Sequence, residues 1–335
     1  MIPLSVLDLS PVTTETSGAQ ALRNSLDLAR HADALGYCRY WVAEHHNLAT
    51  IASSAPDIMI GRIAAATTRL RVGSGGVMLP NHAPLTVAER FKALEALFPG
   101  RIDLGLGRAP GTDPVTSVAL RRRQDINADD DFLDRLQELL LLENRGYPPE
   151  HPFAKIRVMP DGVALPPLFL LGSGDYSARV AASIGAGFSF AHHFASHDAA
   201  DAMLAYRAGF RPSPTRAEPY AILAVHVVCA ETGEAAERLA ATGDLHFVRR
   251  ARGEYLPLEH PDVALAYPYS IVDRERMQHN RTRLFVGAPD RIKPRLDHLI
   301  AATRADEAMI TAMIFDHAAR KTCYALMARA YNLGA

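Results

Sequence analysis

Leu70-Arg71-Val72-Gly73-Ser74-Gly75-Gly76-Val77-Met78-Leu79-Pro80 decides the reading of this chain. It begins as a β-branched, apolar run, which suits a buried strand, and then turns abruptly glycine-rich. A helical period follows over 84–97 and stops at Pro99-Gly100. A second strand-like run, Arg101-Ile102-Asp103-Leu104-Gly105-Leu106, comes next. Strand, helix and strand at this spacing form a βα unit of a parallel sheet.

The same alternation runs along the whole chain. Strand-like runs fall at 3–8, 38–43, 70–77, 101–106, 168–171, 187–191, 220–229 and 307–314. Helical periodicity fills 18–35, 55–67, 84–97, 129–143, 175–184, 198–208, 231–250, 288–302 and 316–331. Gly36 follows the first helix, and Ala288-Pro289-Asp290 opens a late one. About eight such repeats predict an α/β fold, a (β/α)8 TIM barrel, over 1–335 as one domain. Two connections are too long for βα turns and read as functional insertions. One follows strand 4, at 107–128 with a Pro-rich return at 147–167. The other, 251–283, lies between strands 7 and 8.

Composition narrows the function. Lys and Arg total 36 against 37 Asp and Glu, a net charge of -1, so no basic field exists to hold nucleic acid or an anionic membrane surface. Three cysteines, Cys38, Cys229 and Cys323, are too few and too scattered for a disulfide framework. No basic leader and no membrane-length apolar run are found, so a cytoplasmic protein is expected.

Tyr40-Trp41-Val42-Ala43-Glu44-His45-His46-Asn47 places a carboxylate and two imidazoles where a parallel strand leaves its sheet. Both residue types move protons near neutral pH. Adjacent residues on an extended chain face opposite ways, so at most one histidine faces the barrel axis. His45 is the candidate acid–base group, with Glu44 or a neighbour tuning it; a satisfied polar cluster is the competing reading. Ser74-Gly75-Gly76 could bulge a strand, or could let a flat ring lie on bare backbone.

Arg108, at the end of Gly105-Leu106-Gly107-Arg108, can fork onto a phosphate. Gly172-Ser173-Gly174-Asp175-Tyr176-Ser177 reads strand, turn, helix, and free N–H groups at that helix start suit an anion. The dinucleotide reading fails, because the next strand ends in His192-His193 rather than an acid. Those histidines, with His197, have no clustered cysteines, and no metal site is expected. Arg121-Arg122-Arg123 reads as a solvated charged stretch.

With these motifs in order, the chain resembles the luciferase-like flavin-dependent monooxygenase family over almost its whole length. The likeness is densest in Ser5–Pro11, Tyr40–Asn47, Val72–Pro80 and Pro99–Gly111, and continues through Leu171–Gly174 and Ile314–His317. The resemblance implies a barrel mouth that holds reduced FMN or, as the alternative, the deazaflavin F420. It gives His45 the place of the active-site histidine and the Gly75–Gly76 link that of a non-proline cis peptide under the ring. It makes Arg108 the phosphate arginine, helped by Ser173, Gly174 and Ser177. It implies a mobile lid at 251–283 and a homodimer through 55–67 and 84–97. A small organic substrate is oxygenated with O2, and the lack of a second nucleotide fingerprint suggests a separate NAD(P)H-dependent flavin reductase. A flavin-binding barrel without turnover is the reading from another class. Gly107 stands where light-emitting relatives carry a cysteine, which argues against luminescence and leaves more space above the ring. Tyr255, Leu256, Leu265, Tyr267 and Tyr269 allow an apolar or aromatic substrate.

Overall fold

The computed structural model describes residues 2–109, 111–121, 131–195 and 197–334. Ten strands form one parallel sheet: β1 (Leu4–Asp8), β2 (Arg39–Val42), β3 (Arg71–Ser74), β4 (Val77–Met78), β5 (Ile102–Gly107), β6 (Leu168–Gly172), β7 (Gly187–Ala191), β8 (Ala221–Cys229), β9 (Leu284–Gly287) and β10 (Glu307–Thr311). Eight of them close in the order β1-β2-β3-β5-β6-β7-β8-β10, and β10 returns to β1. The chain is a single (β/α)8 barrel.

Two details depart from the sequence expectation. The run at 70–77 is two strands on either side of Gly75–Gly76, whose peptide bond is cis as the resemblance implies. Leu284–Gly287, absent from the expected strands, pairs with His226–Cys229 of β8. The nine residues of β8 outrun the barrel, and their C-terminal half needs a partner beyond β10.

Twelve helices are described: α1 (Gly18–Leu35), α2 (Pro56–Ala64), α3 (Pro84–Leu97), α4 (Pro114–Arg121), α5 (Phe132–Glu143), α6 (Asp175–Ser183), α7 (Ala199–Gly209), α8 (Gly233–Ala251), α9 (Pro261–Ala266), α10 (Ile271–Arg281), α11 (Pro289–Thr303) and α12 (His317–Ala330). Local chemistry sets their ends. Ser17 accepts from Gln20 N–H at the start of α1, and Gly36 closes it at φ +86°. Pro289 opens α11, where no N–H is required. The first insertion contains α4; residues 110 and 122–130, which include the start expected for the helix at 129–143, lie outside the described residues. The second insertion folds α9 and α10. It is tied across the mouth by Leu258, whose N–H donates to Val12 O and whose carbonyl accepts from Thr14 N–H, both at 2.9 Å.

Strand alternation sorts the core into two shells. On β2, Tyr40 and Val42 join the cluster between strands and helices, while Trp41 packs inside the barrel with Leu7, Ala43, Phe169, Ile222, Ala224 and Met309. The Trp41 and Phe169 rings meet edge-to-face at 5.1 Å. Below them Arg39, 6% exposed, pairs with both Asp103 and Glu307, and Trp41 Nε1 donates to Asp103 at 3.2 Å. This buried ionic layer plugs the N-terminal end of the barrel and leaves the C-terminal end for chemistry.

Candidate active site

At the C-terminal mouth, the loop after β2 is organised by Glu44. Its carboxylate is fully buried. Oε1 accepts from His46 Nε2 and His82 Nε2, each at 2.8 Å, and Oε2 accepts from Met78 N–H at 2.9 Å. Burial alone would raise this carboxyl, but the donors from His46, His82 and Met78 outweigh it and hold it at about 2. An ionised carboxylate only accepts, so both imidazoles carry their proton on Nε2. His46 N–H in turn donates to Gly111 O at 3.2 Å. Glu44 and His46 therefore pin together the loops that follow β2, β4 and β5.

Glu44 reaches His45 by its charge and not by a hydrogen bond. On an extended chain, residues two apart share a side, so Glu44 faces His46 and turns from His45. His45 donates its backbone N–H to Ser53 O at 2.9 Å, while its Nδ1 is enclosed without a hydrogen-bond partner among the described residues. Burial pulls the imidazole down to about 4, with Arg250 adding to the shift and Glu44 opposing it. At neutral pH it is an uncharged ring able to accept a proton. It stands on the wall of an open cleft of about 470 Å3, with Asn47, Leu48, Ala49, Ile51, Ala52, Ser54 and Tyr255.

The glycines answer a packing demand. A Cβ on Gly75 would lie 2.5 Å from Leu7 Cδ1 and 3.1 Å from Trp41 Cβ, and one on Gly76 would lie 2.8 Å from Gly105 O. The expectation that their missing Cβ atoms open a face is corrected: those directions are filled by the barrel interior. What remains for a flat ligand is the other side of the chain, where Gly75 keeps part of its surface exposed. Ser74 is also reassigned. Its hydroxyl donates to Gly105 O and accepts from Gly105 N–H, at 2.8 and 3.0 Å, fully buried, and so bridges β3 to β5 instead of reaching a cofactor. The space expected beside Gly107 is taken by Met78, whose Sδ would lie 2.9 Å from an added Cβ.

The residues expected to bind an anion come together. β5 and β6 are neighbours, paired through Gly107 and Leu171. The Arg108 guanidinium lies 4.5 Å from the centre of the Tyr176 ring, in the first turn of α6. Gly174 caps that helix with no side-chain bond to its first N–H groups, and the Ser177 hydroxyl packs against Gly172. An exposed guanidinium beside an uncapped helix start, with Ser173 and Ser177 in the same turn, suits a phosphate. These residues fit the tail of a flavin mononucleotide. Gly75, Gly76 and Arg108 are not on the wall of the His45 cleft; His45 is linked to their strands through Met78 and Gly111, the partners of its neighbours.

Sequence reading missed His82, His226 and His246. His82 lies four residues beyond Met78, in Asn81-His82-Ala83-Pro84, and only the fold brings it to Glu44. His226 continues the inward series Ile222, Ala224 on β8 and accepts from Met313 N–H at 3.3 Å. His193 bonds Ala224 O at 3.3 Å from a 3-10 turn over 192–194, where an extended strand end was expected. Burial pulls His193 and His246 down to about 4 and His226 to about 3. Among the described residues no three His, Cys, Asp or Glu are grouped to hold a metal ion. Arg121, expected in solvent, is partly buried and donates to Asn81 at 3.3 Å; Arg122 and Arg123 lie outside the described residues.

A family model described as luciferase-like monooxygenase matches residues 2–335. The chain belongs to the luciferase-like monooxygenase family. Among similar proteins, a luciferase-like monooxygenase of Escherichia coli K12 is 42% identical over 319 residues, covering 95% of this chain and 94% of its own. The N-acetyl-S-alkylcysteine monooxygenase of Bacillus subtilis is 33% identical over 330 residues, covering 98% of each chain. Among solved structures, apo-MsnO8 superposes with a TM-score of 0.90 at 39% identity and covers 99% of both chains. No helix among the described residues of this luciferase-like protein is long and apolar enough to cross a membrane.

Proposed function

We propose that this protein is an FMN-dependent monooxygenase that oxygenates a small organic compound with O2. The observation that carries the reading is the Arg108–Tyr176 contact at the uncapped start of α6, on the same barrel mouth as His45. Related folds hold FMN in a type II Baeyer–Villiger monooxygenase of Pseudomonas putida and F420 in a secondary alcohol dehydrogenase. The near-neutral chain and a single phosphate arginine in the motif favour the smaller, less anionic FMN, with F420-dependent hydride transfer as the alternative.

Bound reduced flavin would supply the electrons that activate O2. Arg108, Ser173, Gly174 and Ser177 would hold the phosphate, and the part-exposed side of Gly75 would bear the ring. His45, neutral and on the wall of the open cleft, would accept or return a proton at the reacting centre. Glu44 acts as a positioning residue: it fixes His46, His82 and Met78, and so the loop that carries His45. Residues 251–283 would cover the mouth and exclude water. Reduced flavin would come from a separate NAD(P)H-dependent reductase. Homodimerisation through α2 and α3 is supported by Ile58 and Leu97, each 71% exposed on those helices.

The test is titration of purified protein with FMN and with F420, followed by turnover assays of wild type and His45→Ala with supplied reduced flavin. FMN saturation and loss of coupled turnover in His45→Ala are expected. Binding of F420 alone would favour hydride transfer. Unchanged turnover would remove His45 from the mechanism.

A further inference from the structure

Two histidines at the barrel mouth take no part in the phosphate and ring contacts assigned above. His226 lies two residues beyond Ala224 on β8 and so faces the interior, where Ile222 and Ala224 pack. His193 follows β7, whose Ala191 pairs with Ala224. Each ring keeps part of its surface open, at the C-terminal end of the barrel.

In each ring one nitrogen is committed to the backbone and the other is left over. His226 Nε2 accepts from Met313 N–H at 3.3 Å, so it carries no proton. His193 Nδ1 donates to Ala224 O at 3.3 Å, so it carries one. Burial holds these imidazoles at about 3 and about 4, so each is neutral at neutral pH and has a single proton. His226 therefore offers Nδ1–H as a donor, and His193 offers the Nε2 lone pair as an acceptor. Neither atom has a hydrogen bond to the described residues. Thr311 adds a hydroxyl to the same corner. It is the register partner of His226 on β10 and, two residues beyond Met309, faces the same interior. It is 3% exposed, and its Oγ1 has no hydrogen-bond partner among the described residues. Buried hydroxyls are ordinarily paired, which marks this corner as built for a polar group.

We propose that His193 and His226 are specificity-determining residues that receive an amide group of the substrate. The amide carbonyl accepts from His226 Nδ1–H, with the Thr311 hydroxyl beside it, and the amide N–H donates to His193 Nε2. An ester or a carboxylate has no N–H and sets an oxygen against the His193 lone pair; an amide satisfies both rings at once. The inference rests on the flavin-dependent reading, in that it names the class of compound oxygenated there.

Isothermal titration of N-methylhexanamide and of methyl hexanoate, which differ by one N–H replaced with oxygen, tests this in the full-length protein with and without FMN. In wild type the amide should bind about tenfold more tightly, because the ester leaves the His193 acceptor unpaired. His193→Phe should bring the two ligands within about twofold of each other. His226→Phe should weaken both by about threefold to tenfold and leave their ratio unchanged, as loss of a shared carbonyl contact requires. Equal wild-type affinities, or an undiminished amide preference in His193→Phe, would overturn the proposal. So would variants that lose FMN affinity while N-methylhexanamide binding without FMN holds, which would give the two rings to the flavin. FMN titration of wild type separates the readings. FMN binding without amide preference defeats the amide site alone, and amide preference without FMN binding defeats the flavin reading alone.

Discussion

His82 donates from Nε2 to Glu44 Oε1 at 2.8 Å, joining the loop before α3 to the loop after β2. With His46 on the same oxygen and Met78 N–H on the other, the carboxylate is the fastener of the barrel mouth. Glu44→Gln keeps the shape but loses the charge and turns an amide N–H2 toward donors. Breaking a buried charge-assisted cluster costs about 3–5 kcal/mol. Urea unfolding should show that loss, and an unchanged midpoint would mean that the cluster does not hold the mouth.

The opposite end of the barrel makes a separate prediction. Asp103 faces both Arg39 and Arg71, and Glu307 faces Arg39 and Tyr220. Asp103→Asn leaves Arg39 buried with one counter-charge, for a loss of about 3–5 kcal/mol. Because this layer lies below Trp41, FMN affinity of the folded variant should stay within about twofold of wild type, well under one tenfold step. A stability loss accompanied by lost flavin binding would contradict the division between structural floor and chemical mouth.

Acid should unfold the protein early. His45, His193, His226 and His246 are held at about 4, 4, 3 and 4, against an ordinary value near 6.5. Between those limits the unfolded chain binds more protons than the folded one, so stability rises with pH and is lost as pH falls from 6.5 toward 4. Each histidine contributes a slope of about 1.4 kcal/mol per pH unit in that window. Glu44 adds a loss of the same sign lower down, from about 4.5 toward 2. Urea midpoints from pH 8 to pH 5 check this; a flat profile from 6.5 to 5 would contradict it.

Gly75 offers a steric test. Gly75→Ala would place a methyl 2.5 Å from Leu7 Cδ1 and 3.1 Å from Trp41 Cβ. Overpacking of this kind costs about 1–3 kcal/mol. Trp41 is the only tryptophan, so its emission should report the disturbance directly. Wild-type stability and an unchanged spectrum would show that the interior can absorb the methyl.

Much of the barrel was legible because its signals are local. Tyr40 and Val42 alternate with Trp41, Gly36 supplies a left-handed stop, and Pro289 opens a helix. Arg108 and the turn at 172–177 could be joined from sequence because they end adjacent strands. Glu44 acts on His45 through its charge, as the sequence allows, but its hydrogen bonds go to His46, His82 and Met78. Only the first of these follows from the two-residue period of extended chain. Other features needed the closed barrel. His82, His226 and His246 meet the mouth through long-range packing, and a four-residue apolar run such as Leu284–Gly287 carries no mark of which strand edge it will join. The glycines at 75 and 76 stand out in sequence, yet only coordinates show that Leu7, Trp41 and Gly105 occupy their Cβ directions.

The central claim is that Arg108 and the start of α6 clamp the flavin phosphate. The most direct test compares FMN with riboflavin, which lacks that phosphate, in wild type and Arg108→Ala by fluorescence titration. The account predicts that wild type prefers FMN by about tenfold or more, the worth of one charge-assisted contact, and that Arg108→Ala loses the preference while its riboflavin affinity holds. An Arg108→Ala protein that still prefers FMN to the wild-type extent would contradict it.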